Sequence, residues 1–503
     1  MSKTINLRGQ PVHFIGIGGI GMSALAYILA ERKIPVSGSD VRATHITRRL
    51  ESVGANIFTE QRPENLTIFQ DETVATAPPA TAHSAPFNSV PSNGQAIALA
   101  EPPVQPQGVT PQVVCSTAIR PNNAEYCAAL ERDYPIFHRS DVLAALIKEY
   151  ESIAVAGTHG KTTTSSLIAY ILLHAGVDPT VVVGGEVEAI GGNARLGHGR
   201  YLVAEADESD GSLVKMHPKL GVITNIELDH PDHYTDLHAV VDVFKTFERH
   251  SQTLIACIDC GVIREHLQPQ ITYSLDPTLG ADYTVQDVNY QGTGTQATIV
   301  ERGQVLGKLN LPLLGRHNLS NTLAAIAVAR YVGLEFTPIA AAIAEFKGAK
   351  RRFEVRGQVK GMTFVDDYAH HPSELQATLA AARLRVQIPN GSTAYRLIAV
   401  FQPHRYSRTA TFFEEFVQSF GEADVIVITD IYSAGEVNTH AISGERLANA
   451  IAQQHQQVFY QPTVLDAREF LQTFLQTGDF VLFLGAGNLN QQITPLIEHF
   501  THH

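Results

Sequence analysis

The chain has 503 residues, enough for roughly three domains of ~150 residues each. Hydrophobic residues make up 44%, so several cores can be buried. The net charge of −13 excludes a general nucleic-acid binder, which needs a basic face, but not a protein that holds small anions through glycine loops and a few cations.

The first predicted strand, Val12 to Ile15, enters Gly16-Ile17-Gly18-Gly19-Ile20-Gly21 and then a helix from Met22 to about Arg32. A second strand, Pro35 to Ser39, ends at Asp40. This is G-x-G-x-x-G with an acid about twenty residues on, the fingerprint of a bound nucleotide diphosphate. The spacing puts a pyrophosphate over Gly18 to Gly21 and Asp40 near a sugar or base. Residues 71–110 carry seven prolines, from Pro78 to Pro106, among Ala, Ser, Thr and Gln, and read as an exposed insertion. A strand from Val113 to Ser116 and a helix from about Asn123 to Arg132 follow.

A second glycine loop follows the strand Ser152 to Ala156: Gly157-Thr158-His159-Gly160-Lys161-Thr162-Thr163, then an apolar helix. Strand, loop, Lys-Thr and helix form the device that holds a nucleoside triphosphate. Lys161 neutralises β/γ oxygens and the Thr162 hydroxyl suits Mg²⁺. The loop is shorter than the general pattern, which places a glycine six residues before the lysine, where Val155 stands. Two further strands run into Glu205-Ala-Asp-Glu208-Ser-Asp210 and Asn225-Ile-Glu-Leu-Asp229-His230. Ligands gather at strand carboxyl ends in a parallel sheet, so Glu208 and His230 can join the loop around one Mg-nucleotide, with packing as the alternative role for His230. His233 reads as an incidental neighbour. Cys257-Ile-Asp-Cys260 lacks a second pair and reads as structural thiols. His317, Asn318 and Asn321 share one side of a helix start, where they either read a base edge or cap the helix.

A third α/β unit follows Arg352. One strand ends in Asp366-Asp-Tyr368-Ala-His370-His371-Pro372, another in Phe401-Gln-Pro-His404-Arg405-Tyr-Ser-Arg408-Thr409. Arg405 and Arg408, three apart, would point the same way on a helical turn and clamp a carboxylate or phosphate; a solvated basic turn is the alternative. Gly485-Ala-Gly-Asn488 reads as a plain strand-to-helix turn. No apolar run reaches ~18 residues and no signal-peptide segment is evident, which points to a soluble cytoplasmic protein that has no membrane partner.

Four of these stretches, Gly16–Met22, Gly157–Thr163, Glu205–Asp210 and Phe401–Thr409, resemble the Mur ligases of peptidoglycan synthesis, over nearly the whole chain outside 71–110. The resemblance implies an α/β fold of three domains: a Rossmann-like UDP-sugar domain (1–150), a P-loop ATP-binding central domain (151–347) and a Rossmann-like C-terminal ligase domain (348–503). The implied reaction is ATP-dependent amide formation through an acyl phosphate. Lys161, Glu208, His230, Arg405 and Arg408 would be catalytic. Thr162, Glu208 and His230 would hold Mg²⁺. ATP would lie on Gly157, Thr158, His159, Gly160, Lys161, Thr162 and Thr163, with His317, Asn318 and Asn321 on the adenine and Arg352 on the phosphates. UDP-N-acetylmuramate and L-alanine would contact Gly16, Gly18, Gly19, Ile20, Gly21, Asp40, Ser116, Tyr368, His370, His404, Arg405 and Arg408. A monomer or weak homodimer is expected. Phe401–Thr409 is similar to the alanine-adding branch, although Ser407 stands where the family often has Thr. The branch that attaches a recycled tripeptide shares the other three stretches and is the alternative. An NAD-dependent oxidoreductase would leave the Lys161 loop and Glu208 without a role.

Overall fold

The computed structural model describes residues 4–69, 109–386 and 395–502. Nearly all of the proline-rich insertion lies outside these. The described chain divides into two compact units, 1–145 and 146–503.

In the first unit five parallel strands are ordered Asn56–Phe58, Val36–Ser39, Val12–Ile15, Gln112–Cys115 and Ile136–His138. The chain winds outward from Val12–Ile15 to one side and then returns to start the other. The crevice where strand order reverses lies at the carboxyl ends of Val12–Ile15 and Gln112–Cys115. The Gly16 loop leaves one of these ends and Ser116 follows the other. Beneath the sheet, Glu125 is fully buried. It accepts from Asn65 at 2.6 Å and from Ser39, and lies 3.3 Å from His13, so its oxygens are satisfied across four segments.

The second unit holds two sheets, each with its own core. In the ten-stranded sheet, seven adjacent strands from Tyr283–Gln291 to Thr180–Val187 are parallel, and both edges are antiparallel. Glu151–Ala156 lies inside, flanked by Leu220–Ile223 and Tyr201–Glu205. Its continuous apolar run is what burial on both faces demands. The helix Lys161–His174 leaves this strand and is buried from Thr162 to Leu172. It shares a core with the Ala-rich helix Arg316–Tyr331, whose small side chains permit close packing. The six-stranded sheet is parallel except for its edge hairpin, Glu354–Val359 with Met362–Asp367. Predicted strands recur within two residues of expectation. The helix after the second glycine loop starts at Lys161, so the lysine is its first residue rather than part of a longer loop. The Gly485 turn is plain, as expected: Gln402 Oε1 accepts the Asn488 and Leu489 N–H groups at 3.0 and 3.2 Å.

Candidate active site

The loop 157–160 is held by the end of the neighbouring strand. Asn225 Oδ1 accepts the His159 N–H at 2.9 Å, and the Asn225 carbonyl accepts that of Thr158 at 3.0 Å. The Thr158 hydroxyl accepts from the Glu227 N–H at 2.9 Å. The following helix begins without a side-chain cap or an acidic first turn. Its orphan N–H groups and positive dipole end therefore make an anion site. Lys161 Nζ donates to the Gly157 carbonyl at 2.6 Å and to Glu208 at 2.8 Å. Glu208 is 2% exposed, and burial pushes its carboxyl up to about 7 even beside Lys161.

Gly160 has φ +82°, and an added Cβ would overlap Asn321 Oδ1. Gly160→Ala therefore strains the loop and pushes on a cavity wall at once. The expected result is a rise of at least ~10-fold in the KM for ATP, of the size of an ~1.4 kcal/mol binding loss. A steady-state titration of ATP checks it, and an unchanged KM would mean that this wall is not where the nucleotide sits.

Beside the loop is a cavity of about 950 Å³ between the two sheets. Its lining includes His159, Gly160, Thr163, His317, Asn318, Asn321 and Arg352. Of the two expected roles for the helix start, capping does not hold. Gly315 is the N-cap, and Asn318 Nδ2 donates back to the Leu314 carbonyl at 2.8 Å. Burial lowers His317 to about 4, so its imidazole is neutral and can donate and accept at a base edge. Arg352 Nη2 lies 3.5 Å from the Thr162 hydroxyl. Cys257 and Cys260 also line this wall; burial raises the Cys257 thiol to about 11, which keeps it protonated.

The Thr162 hydroxyl, the Glu208 carboxylate and the His230 imidazole are each of a donor type that a divalent cation accepts. Burial lowers His230 to about 4, leaving the ring neutral and able to ligate. His230 takes φ +54°, with its N–H on Asp229 Oδ1 at 2.7 Å.

Sequence reasoning missed a polar seam joining the two sheets. His159 Nδ1 is 3.3 Å from Glu374 and its Nε2 is 3.4 Å from Glu227. Ser373 donates to Glu227 at 2.6 Å, and His370 Nδ1 is 3.1 Å from Glu374. His371 packs its ring 4.7 Å from that of His159. The cluster forms only when the segments around 159, 227 and 370–374 come together, so no local signal marks Glu227, His371 or Glu374. Burial lowers His159, but the hydrogen bonds it donates to Glu227 and Glu374 outweigh it and raise the pKa from 6.5 to about 10. Burial raises Glu227, yet His159 brings it from 4.5 down to about 2. The His159 contribution to stability is complete below pH 6.5 and lost as pH rises through about 10; that of Glu227 is complete above pH 4.5 and lost as pH falls through about 2. Between pH 6.5 and 10 the melting temperature of the second unit should therefore fall, and Glu374→Gln should flatten that fall. Scanning calorimetry at both pH values is the check; an equal fall in the variant would separate Glu374 from the effect.

The arginine clamp requires correction. Arg405 precedes its helix, at φ +70° and ψ 137°, so Arg405 and Arg408 do not share a helical turn. Arg405 Nη1 pairs with Asp232 at 3.0 Å and Glu436 at 3.1 Å. Arg408 is 1% exposed and donates from Nε to Asp229 at 2.8 Å. Their guanidinium groups face separate carboxylates. Arg408 also donates to His404 Nδ1 at 3.3 Å, and burial with neighbouring cations lowers His404 to about 2. His404 stacks on Tyr432 at 5.7 Å and meets the ring of His370 at 5.9 Å. Tyr368 lies under Arg351 and Arg352, at 4.8 and 5.2 Å.

In the first unit the Asp40 oxygens accept the Gly18 and Arg42 N–H groups at 2.9 and 3.1 Å, so the carboxylate orders the loop while keeping further acceptor sites. A Cβ on Gly18 would stand 2.8 Å from Asp40 Oδ2, which explains glycine there. Gly19 is the N-cap of the helix Ile20–Glu31, again without a side-chain cap. Arg139 lies near Gly21: a Cβ there would be 3.4 Å from its Nη1.

Residues 11–151 match the model described as Mur ligase family, catalytic domain; residues 155–329 match the Mur ligase middle domain and residues 351–487 the Mur ligase, glutamate ligase domain. The chain belongs to the Mur ligase family. Among Mur ligases it is 59% identical over 500 residues to UDP-N-acetylmuramate--L-alanine ligase of Gloeothece citriformis, covering 99% of each chain. The enzyme of that name from Synechocystis sp. is 58% identical over 502 residues, covering 98% of each. The crystal structure of UDP-N-acetylmuramate-alanine ligase MurC from Thermotoga maritima is similar in fold, with a TM-score of 0.76 at 24% identity, covering 98% of this chain and 99% of that one. A murein peptide ligase from Psychrobacter arcticus matches with a TM-score of 0.67 at 21% identity, over 98% and 99%. As a Mur ligase the protein is an ATP-dependent ligase, and the nicotinamide reading of Gly16–Gly21 falls away. Among the described residues no helix is long and apolar enough to cross a membrane.

Proposed function

We propose that this protein joins L-alanine to the lactyl carboxylate of UDP-N-acetylmuramate at the expense of ATP. The observation that carries this reading is the near-full-length identity to alanine ligases. The site supports it with an uncapped helix N-terminus that bears Lys161 beside a nucleotide-sized cavity.

The lactyl carboxylate attacks the γ-phosphate, ADP leaves, and the alanine amine displaces phosphate from the acyl phosphate. Two anions must approach, so charge has to be cancelled at the γ-phosphate. Lys161 and the helix N-terminus supply part of this. Mg²⁺, held by Thr162, Glu208 and His230, would supply the rest as a Lewis acid. His317, Asn318 and Asn321 would read the adenine, and Arg352 would reach the phosphates. The Gly16–Gly21 loop, Ser116 and Arg139 would take the UDP pyrophosphate, with Asp40 ordering the loop. Tyr368, His370, His404 and Arg405 would serve the muramoyl and alanine end, whereas Arg408 would hold Asp229 in place. The three sheets would mark domains 1–150, 151–347 and 348–503. The enzyme would act in the cytoplasm as a monomer or weak homodimer.

Phosphate release from MgATP with UDP-N-acetylmuramate tests the reading directly. Release should require free L-alanine and yield the matching amide. Release that instead requires L-Ala-D-Glu-diaminopimelate would move the protein to the tripeptide-attaching branch.

A further inference from the structure

His159, Glu227 and His371 converge from three segments: the P-loop, the loop after Leu220–Ile223, and the residue before the helix Pro372–Val386. One ligating atom of each lies within 4.8 Å of the others. Glu227 Oε2 is 3.4 Å from His159 Nε2 and 3.9 Å from His371 Nδ1. Donors each about 2.1 Å from a shared tetrahedral cation stand roughly 3.4 Å apart, a spacing that the two Glu227 distances match to within about 0.5 Å. Two further features point to a ligand. His371, 4% exposed, has an Nε2 without a hydrogen-bond partner among the described residues, while its Nδ1 accepts only a long 3.3 Å bond from the Ser373 N–H. His159 Nδ1 faces Glu374 at 3.3 Å, the carboxylate–imidazole arrangement that orients metal-bound histidines.

We propose that His159, Glu227 and His371 bind a divalent transition-metal ion of the zinc class, at a site separate from Thr162, Glu208 and His230. Two imidazoles with one carboxylate favour zinc over magnesium, which prefers oxygen donors and retained water. Binding exchanges a proton for the ion: the His159 imidazolium loses its Nε2 proton to solvent, and that nitrogen's electron pair enters the metal bond. The bound ion ties the P-loop to the helix Pro372–Val386.

The test is zinc binding to the nucleotide-free full chain in excess Mg²⁺, read by competition with a chromogenic chelator. His371→Gln and Glu227→Gln should each weaken zinc at least ~10-fold, while His230→Ala leaves it unchanged. Co²⁺ should give tetrahedral visible absorption that both glutamine variants lose. Glu227→Gln keeps size and shape, so it reads the site even where His371→Gln lowers stability. No zinc binding by the wild type, equal affinity in all variants, or weakening by His230→Ala would each overturn the assignment.

Discussion

Lys161→Ala should lower kcat by at least ~10²–10³-fold, the loss seen when one preorganised charge partner of a transition state is removed. Lys161 is the first residue of an uncapped helix, and its Nζ already lies among the Gly157 and Thr158 carbonyls and Glu208. Alanine leaves the anion site with its backbone dipoles but without its mobile cation. It also leaves Glu208, 2% exposed, without its counter-charge, so some loss of stability accompanies the loss of rate. UDP-sugar binding should survive, because the Gly16–Gly21 loop belongs to the other compact unit. Phosphate release and calorimetric titration of UDP-N-acetylmuramate separate the two effects. Undiminished turnover would sink the assignment of Lys161, and lost UDP-sugar binding would mean that the two units do not bind independently.

Arg408→Ala should destabilise the second unit by about 3–5 kcal/mol, the cost of stripping a buried ion pair of one partner. Arg408 and Asp229 side chains are 2% and 5% exposed, and the 2.8 Å bond between them joins the two sheets. Asp229 cannot regain water when the guanidinium is gone. Arg408→Lys should restore little, since an ammonium lacks the flat fork that serves Asp229 and His404 together. The second unit contains more than one core, so the readout is its own calorimetric transition rather than a single two-state unfolding energy. A shift within about 0.5 kcal/mol of wild type, typical of surface positions, would show that the pair is dispensable for folding.

Much of the site was legible along the chain because phosphate chemistry is local. A strand end, a glycine turn and a helix N-terminus are consecutive in sequence, so Gly16–Gly21 and Gly157–Thr163 announce themselves, and Glu208 and His230 follow by strand-end logic. Full-length resemblance supplied the fold and reaction beyond those spans. What the chain alone misplaced were groups whose partners are distant. Arg405 and Arg408 have the spacing of a clamp, but a left-handed φ at Arg405 turns one away and Asp229 takes the other. The seam of His159, Glu227, His371 and Glu374 was invisible because no single segment holds more than two of its members. Backbone conformation and hydrophobic period are properties of neighbouring residues and can be read from them; burial and counter-charge are set by whichever remote segment packs alongside, and that was decided only by the tertiary structure.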